Sequence, residues 1–183
     1  MQALLRRKIA IDNQDHDGRT ALWHAANSGN MAASELLLNQ QAKPDIKDQS
    51  GQTPLTRATL QGHRDVVNLL IQHQADINSI SDHGNTPLML AAASGNIAIT
   101  RALLDAGAKM DAVNDQGNTA LAQAVLAGSL EATRLLLTRG ANPNIRNKVG
   151  DQALGLAKST GRNDIAELVK ESGHKRKGLF GLF

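Results

Sequence analysis

Gly18, Gly51, Gly84, Gly117 and Gly150 stand 33 residues apart with no insertion between them. Gly29, Gly62, Gly95, Gly128 and Gly161 keep the same interval, and so do Leu22, Leu55, Leu88, Leu121 and Leu154. A chain written this way is a tandem array. One unit of this length is a small supersecondary element that cannot bury its apolar face alone, so its fold has to come from stacking on neighbouring copies. Function is then expected on the surface that the stack presents.

The second unit shows what one copy encodes. Thr53 offers a hydroxyl to cap a helix, and Pro54 falls at the first helical position, where its missing N–H costs nothing. Leu55 and Ala58 follow at helical spacing, and Gly62 supplies the left-handed conformation that ends a helix. Val66, Val67, Leu69, Leu70 and Ile71 form the broader apolar stripe of a second helix. Asp76, Asn78, Ser81, Asp82 and Gly84 are turn residues. Each unit is therefore helix, turn, helix, then an extended loop or hairpin, and the fold class is all-α. Ala25, Ala26, Ala91, Ala92 and Ala124 allow close approach between layers, while Leu and Val of the outer helices supply most of the buried area. At roughly 25 cal/mol per Å² of apolar area removed from water, a few such side chains suffice only when both sides are covered. An isolated repeat should not fold.

Gly-Arg-Thr-Ala-Leu at 18–22, Gly-Gln-Thr-Pro-Leu at 51–55, Gly-Asn-Thr-Pro-Leu at 84–88 and Gly-Asn-Thr-Ala-Leu at 117–121 open the units. Leu-Leu pairs at 36/37, 69/70, 103/104 and 135/136 follow, and segments such as Gly-Ala-Lys-Met-Asp at 107–111 and Gly-Ala-Asn-Pro-Asn at 140–144 close them. This recurring pattern resembles the ankyrin repeat over residues 1 to about 173. The resemblance implies an ankyrin-repeat solenoid of stacked helix-turn-helix units with hairpin-like loops. Its parts are a partial N-terminal repeat or cap at 1–14, repeats at 15–47, 48–80, 81–113 and 114–146, a C-terminal cap at 147–173, and a basic, apolar tail at 174–183.

Some positions depart from the family pattern. The His that usually follows Thr-Pro-Leu is replaced by Trp23, Thr56, Met89, Ala122 and Gly155, which removes the inter-repeat bonds attributed to it. Gln41 and Gln74 stand where 107, 140 and 173 carry glycine, and a non-glycine residue in a left-handed conformation costs about 1 kcal/mol. The first two repeats are expected to fray more easily. In the last unit Gln152 replaces the capping Thr, Gly155 weakens the inner helix, and Lys158, Lys170 and Glu171 bring charge, as a terminal cap would. At the other end Leu4, Leu5 and Asp12 precede Leu37, Leu38 and Asp45 by 33 residues, so the first fourteen residues read as the end of a repeat, either an abbreviated cap or a piece of a longer array.

Aromatic residues make up 2% of the chain, low for a globular enzyme, and cysteine is absent, which removes disulfides, thiol nucleophiles and cysteine metal sites. The opening residues lack the apolar run of a signal peptide, and no stretch approaches the ~20 apolar residues of a membrane span, so cytoplasmic residence is expected. Net charge is +3, but Arg6, Arg7 and Lys8 at one end and Lys175, Arg176 and Lys177 at the other already supply +6, leaving −3 for the body between them. A duplex-binding protein would carry its Lys and Arg along the repeats, so nucleic acid is not the expected partner. The six histidines show no i, i+4 pair and no clustered carboxylates; His16 and His24 within one unit, or Asp82 and Asp115 on neighbouring loop tips, do not make a metal or acid–base site. Neither a catalytic residue nor a cofactor is expected.

By the geometry the resemblance implies, the variable concave surface comprises His16, Asp17, Arg19, Asn27 and Ser28 in the first unit and Gln49, Ser50, Gln52, Leu60 and Gln61 in the second. It continues with Asp82, His83, Asn85, Ala93 and Ser94 in the third, and Asp115, Gln116, Asn118, Leu126 and Ala127 in the fourth. Leu60 and Leu126 either bind an apolar ridge of a partner or pack between layers, and Trp23, the only Trp, either anchors a partner or fills the space between layers. The leading expectation is a non-catalytic scaffold or adaptor for a protein or peptide, monomeric or weakly self-associating. The alternative is a peripheral membrane protein or effector held by its tail, through Lys175, Arg176 and Lys177 with Leu179, Phe180, Leu182 and Phe183. Two glycines in the last six residues disfavour an isolated helix there.

Overall fold

The computed structural model describes residues 10–81 and 83–180, with side chains described as far as residue 173. Ten α-helices and no strand occur among them. Two compact units divide the chain. The first, Met1–Asp82, holds α1 (Ala21–Asn27), α2 (Met31–Asn39), α3 (Pro54–Gln61) and α4 (Arg64–Gln72). The second, His83–Phe183, holds α5 (Pro87–Ala93), α6 (Ile97–Asp105), α7 (Ala120–Ala127), α8 (Leu130–Thr138), α9 (Ala153–Ser159) and α10 (Asn163–Phe180). Within the first unit α1 packs on α3 and α2 on α4; within the second α5, α7 and α9 form one layer and α6, α8 and α10 the other.

Four inner helices, α1, α3, α5 and α7, start where a Thr places them. The hydroxyls of Thr20, Thr53, Thr86 and Thr119 accept from the amides of Trp23, Thr56, Met89 and Ala122, at 3.1–3.3 Å. Gln152 makes no such bond at the start of α9. Asn30, Asn96 and Ser129 cap the outer helices α2, α6 and α8 by the same device. His63, at the equivalent position before α4, makes no cap and instead reaches back with Nε2 to the carbonyl of Asn27, 3.0 Å away. Its ring lies against Gly29, where a Cβ would come within 2.6 Å of it, so that glycine is required both for its left-handed backbone and for the room it leaves.

Leu22, Leu55, Leu88 and Leu121 are buried in the inner layers with Ala26, Ala58, Ala92, Ala124 and Ala157; Leu70, Leu103, Leu136 and Ile165 fill the outer ones. Short inner helices with alanine faces approach closely, and leucine supplies the area that drives it. Thr59 is fully buried and its hydroxyl has no hydrogen-bond partner.

The outer helices α2, α4, α6 and α8 end in one motif. The amides of Gln41, Gln74, Gly107 and Gly140 bond three residues back, and those of Ala42, Ala75, Ala108 and Ala141 five residues back. This is the paired 5→2 and 6→1 closure of a helix with a left-handed residue between. Gln41 and Gln74 hold φ of 65° and 61°, as their alignment with Gly107 and Gly140 implies. Gly173 departs from this series: α10 runs through it to Phe180, so no helix stop separates the last repeat from the segment that follows. Among the described residues the inter-repeat loops close as turns, without strand pairing.

Asp12 takes the place that Asp45 and Asp111 take later. Their carboxylates accept from the amides of Lys43, Asp76 and Asn142, each 31 residues on, at 2.8–3.0 Å. Residues around Asp12 therefore keep the register of a closing loop. Leu4, Leu5, Arg6, Arg7 and Lys8 lie outside the described residues.

Candidate protein-binding surface

A short polar side chain closes four of the loop tips. Asp15 Oδ1 accepts from the amides of Asp17 and Arg19, and Asp48 Oδ1 from those of Ser50 and Gln52. Asn114 Oδ1 serves Gln116 and Asn118, and Asn147 Oδ1 serves Val149 and Asp151. Successive tips within a unit are also tied to one another. In the first unit the Gln49 amide donates to Asp17 O at 3.0 Å and Gln49 Nε2 to His16 O at 2.8 Å. In the second, the Asp115 amide donates to His83 O at 3.2 Å and the Lys148 amide to Gln116 O at 2.9 Å. A surface whose backbone is already fixed loses little entropy on binding.

His16, Asp17, Ser28, Gln49, Ser50 and Gln61 are exposed in the first unit, and Arg19, Asn27 and Gln52 are half-buried. His83, Ala93, Ser94, Asp115, Gln116 and Ala127 are exposed in the second, and Asn85 is half-buried. Asn118 does not belong to the exposed set: it is 8% exposed, and its Oδ1 accepts from Asn147 Nδ2 at 3.2 Å, just as Asn85 Oδ1 accepts from Asn114 at 2.8 Å. Those two amides hold one repeat to the next. Asp82, Leu182 and Phe183 lie outside the described residues, as do the side chains of Lys175, Arg176, Lys177, Leu179 and Phe180.

Leu60 near the end of α3 is 39% exposed, and Leu126 near the end of α7 is 36% exposed. Each keeps part of its side chain at the surface and buries the rest. Trp23 is 5% exposed and lies inside the stack, in edge contact with the His24 ring. Two guanidiniums lie over it: Arg19 with its central carbon 4.8 Å from the ring centroid, and Arg57 at 5.3 Å. Arg19 is paired with Asp17 at 2.8 Å. Arg57 donates from Nε to Asn27 Oδ1 at 2.6 Å and points Nη1 at Gln52 Oε1, 3.5 Å away. His24 pairs with Asp15 at 2.8 Å rather than forming a site with His16. The Arg19 amide, then the His24 ring, hold the Asp15 carboxyl below the usual carboxylate range.

Arg57 is the residue of this surface that sequence reading did not select. Leu90, Gln123 and Leu156 hold its place in later repeats, so the cation stands out only against the period. Among the described residues, no three His, Cys, Asp or Glu side chains gather as a metal site would require.

A family model described as ankyrin repeats (3 copies) matches residues 1–81 and 76–147. The fold and the matched span agree, and the chain belongs to the ankyrin repeat family. Curated protein sequences give no match. Members of this family generally mediate protein–protein interaction and are typically non-catalytic.

Proposed function

We propose that the chain is a non-catalytic scaffold or adaptor, resident in the cytoplasm, that binds a protein or peptide through its inner-helix ends and loop tips, the concave face in the family's geometry. The observation that carries this reading is the exposure of Leu60 and Leu126. The leucines that open the inner helices at 22, 55, 88 and 121 are buried, whereas these two, on the same helices as 55 and 121, are presented to solvent beside exposed polar tips. Apolar contacts rimmed by polar groups on a fixed backbone are what a protein interface needs. The test is affinity capture from native lysate with the intact chain and with the Leu60→Arg/Leu126→Arg form, with helicity checked by circular dichroism. A partner lost at unchanged helicity is the expected result. Equal capture by both forms overturns the assignment.

A second reading rests on the continuity of α10 through residue 180. Here the basic and apolar residues from 175 onward attach the repeats to an anionic membrane surface, at about 1 kcal/mol per Lys or Arg. It requires salt-sensitive binding to anionic vesicles that is lost on deleting 174–183, and no binding at low salt rules it out.

A further inference from the structure

Among the described residues of the first unit, Arg57 is a cation with no carboxylate partner. Arg19 is paired with Asp17 and the His24 ring is hydrogen-bonded to Asp15, but Arg57 meets the neutral amides of Asn27 and Gln52, the second at a distance too long for a good bond. Two further buried donors of the surrounding cluster, Arg19 Nε and Trp23 Nε1, also lack hydrogen-bond partners. Its guanidinium is held in a defined plane, by the Trp23 ring on its face and by Asn27 on its Nε. Nη1 is held only by the long contact to Gln52, and the edge it forms with Nη2 has the geometry that matches the two oxygens of a carboxylate once that contact yields. Leu60 follows one helical turn later on α3, exposed.

We propose that Arg57, braced by Trp23 and Asn27, is a carboxylate-recognising anchor, and that the partner of the first unit is a peptide segment placing a Glu or Asp beside an apolar side chain. This inference rests on the protein-binding reading above and narrows it. The acidic and amide loop tips alone would have suggested a partner with basic groups; the half-buried Arg57 selects the opposite charge at the inner helix, where desolvation makes a charge pair count for more.

The probe is a phage-displayed library of random twelve-residue peptides, selected on the full chain and followed by fluorescence titration of the recovered peptides. Trp23 is the only Trp, so its emission reports directly on the stacked guanidinium. The expected result is enrichment of Glu or Asp within a few residues of Leu, Ile or Phe. Replacing that peptide carboxylate by its amide should weaken Kd about tenfold on the intact chain, as for a charge-assisted hydrogen bond, and less than about threefold on Arg57→Gln. The coupling distinguishes recognition from a general loss of stability, because an unfolded variant would lose all peptides alike. Peptides without acidic residues that still fail to bind Leu60→Arg would overturn the carboxylate anchor while leaving the binding surface in place. Recovery of no peptide at all would overturn both. A Trp23 response to a single-stranded oligonucleotide but not to acidic peptides would assign the guanidinium to phosphate and also overturn the proposal.

Discussion

The two units build one motif from different residues. At the ends of the outer helices, the first unit places Gln41 and Gln74 in a left-handed backbone that the second gives to Gly107 and Gly140, and the hydrogen bonds that close the helix are the same in all four. At the loop tips the first unit uses the carboxylates of Asp15 and Asp48, where the second uses the amides of Asn114 and Asn147. The amide has a donor to spare, and each Asn spends it on the next amide in a ladder, to Asn85 and Asn118. The carboxylate has none, and Asp15 turns to His24. The period dictates geometry while residue identity sets its cost and its charge. The first unit consequently carries the left-handed side chains and the acidic tips, and it alone has the Arg–Trp–Arg cluster.

The largest effect should come from erasing the backbone difference. Gln41→Gly and Gln74→Gly should each stabilise the first unit by about 1 kcal/mol and together by about 2 kcal/mol, since each side chain in the left-handed region costs roughly 1 kcal/mol. Gly107→Gln and Gly140→Gln should destabilise the second unit by about the same. Urea unfolding followed by Trp23 fluorescence reports the first unit, and amide hydrogen exchange reports the second. No gain from either glutamine replacement would mean that these side chains recover locally what the backbone loses.

A smaller gain should follow from Thr59→Val. The buried hydroxyl has no partner, a deficit of about 1–3 kcal/mol, and Val occupies the same place in the fourth repeat as Val125. A stabilisation of about 1 kcal/mol in the same urea experiment is expected. A loss on removing the hydroxyl would show that it makes a bond the cell of surrounding side chains hides, through an ordered water.

Much of this could be read from residues because the repeat makes local chemistry recur. Thr53 and Pro54 start α3, Gly62 ends it at φ 77°, Gln152 fails as a cap, and the glutamines at 41 and 74 occupy glycine geometry. Each of these depends on neighbours within one unit. What was not legible depends on the adjacent repeat. Asn118 looks like any loop amide until Asn147 takes its oxygen, and Arg57 is one more basic residue until Trp23, 34 positions earlier, is seen beneath it. The run of α10 past Gly173 was not legible either: that glycine stays within the helix, whereas Gly107 and Gly140 take φ of 87° and 98°.

The charge difference between the tips gives the finest test. The Asp15 carboxyl is held below its ordinary 3.8 by the Arg19 amide, the His24 ring and the Asp17 amide. A carboxyl with a depressed folded-state pKa is protonated in the unfolded chain first, so its contribution is complete above the unfolded value and disappears as pH falls from there through the folded one. Asp15→Asn keeps the oxygen that receives the tip amides, as Asn114 and Asn147 do, and removes the titration. The variant should be less stable than the parent at pH 7 and converge on it toward pH 2, in unfolding curves read from Trp23 at a series of pH values. A difference that stays constant from pH 7 to pH 2 would place the contribution of Asp15 in its shape alone, and the two kinds of tip would then differ in charge without differing in their response to acid.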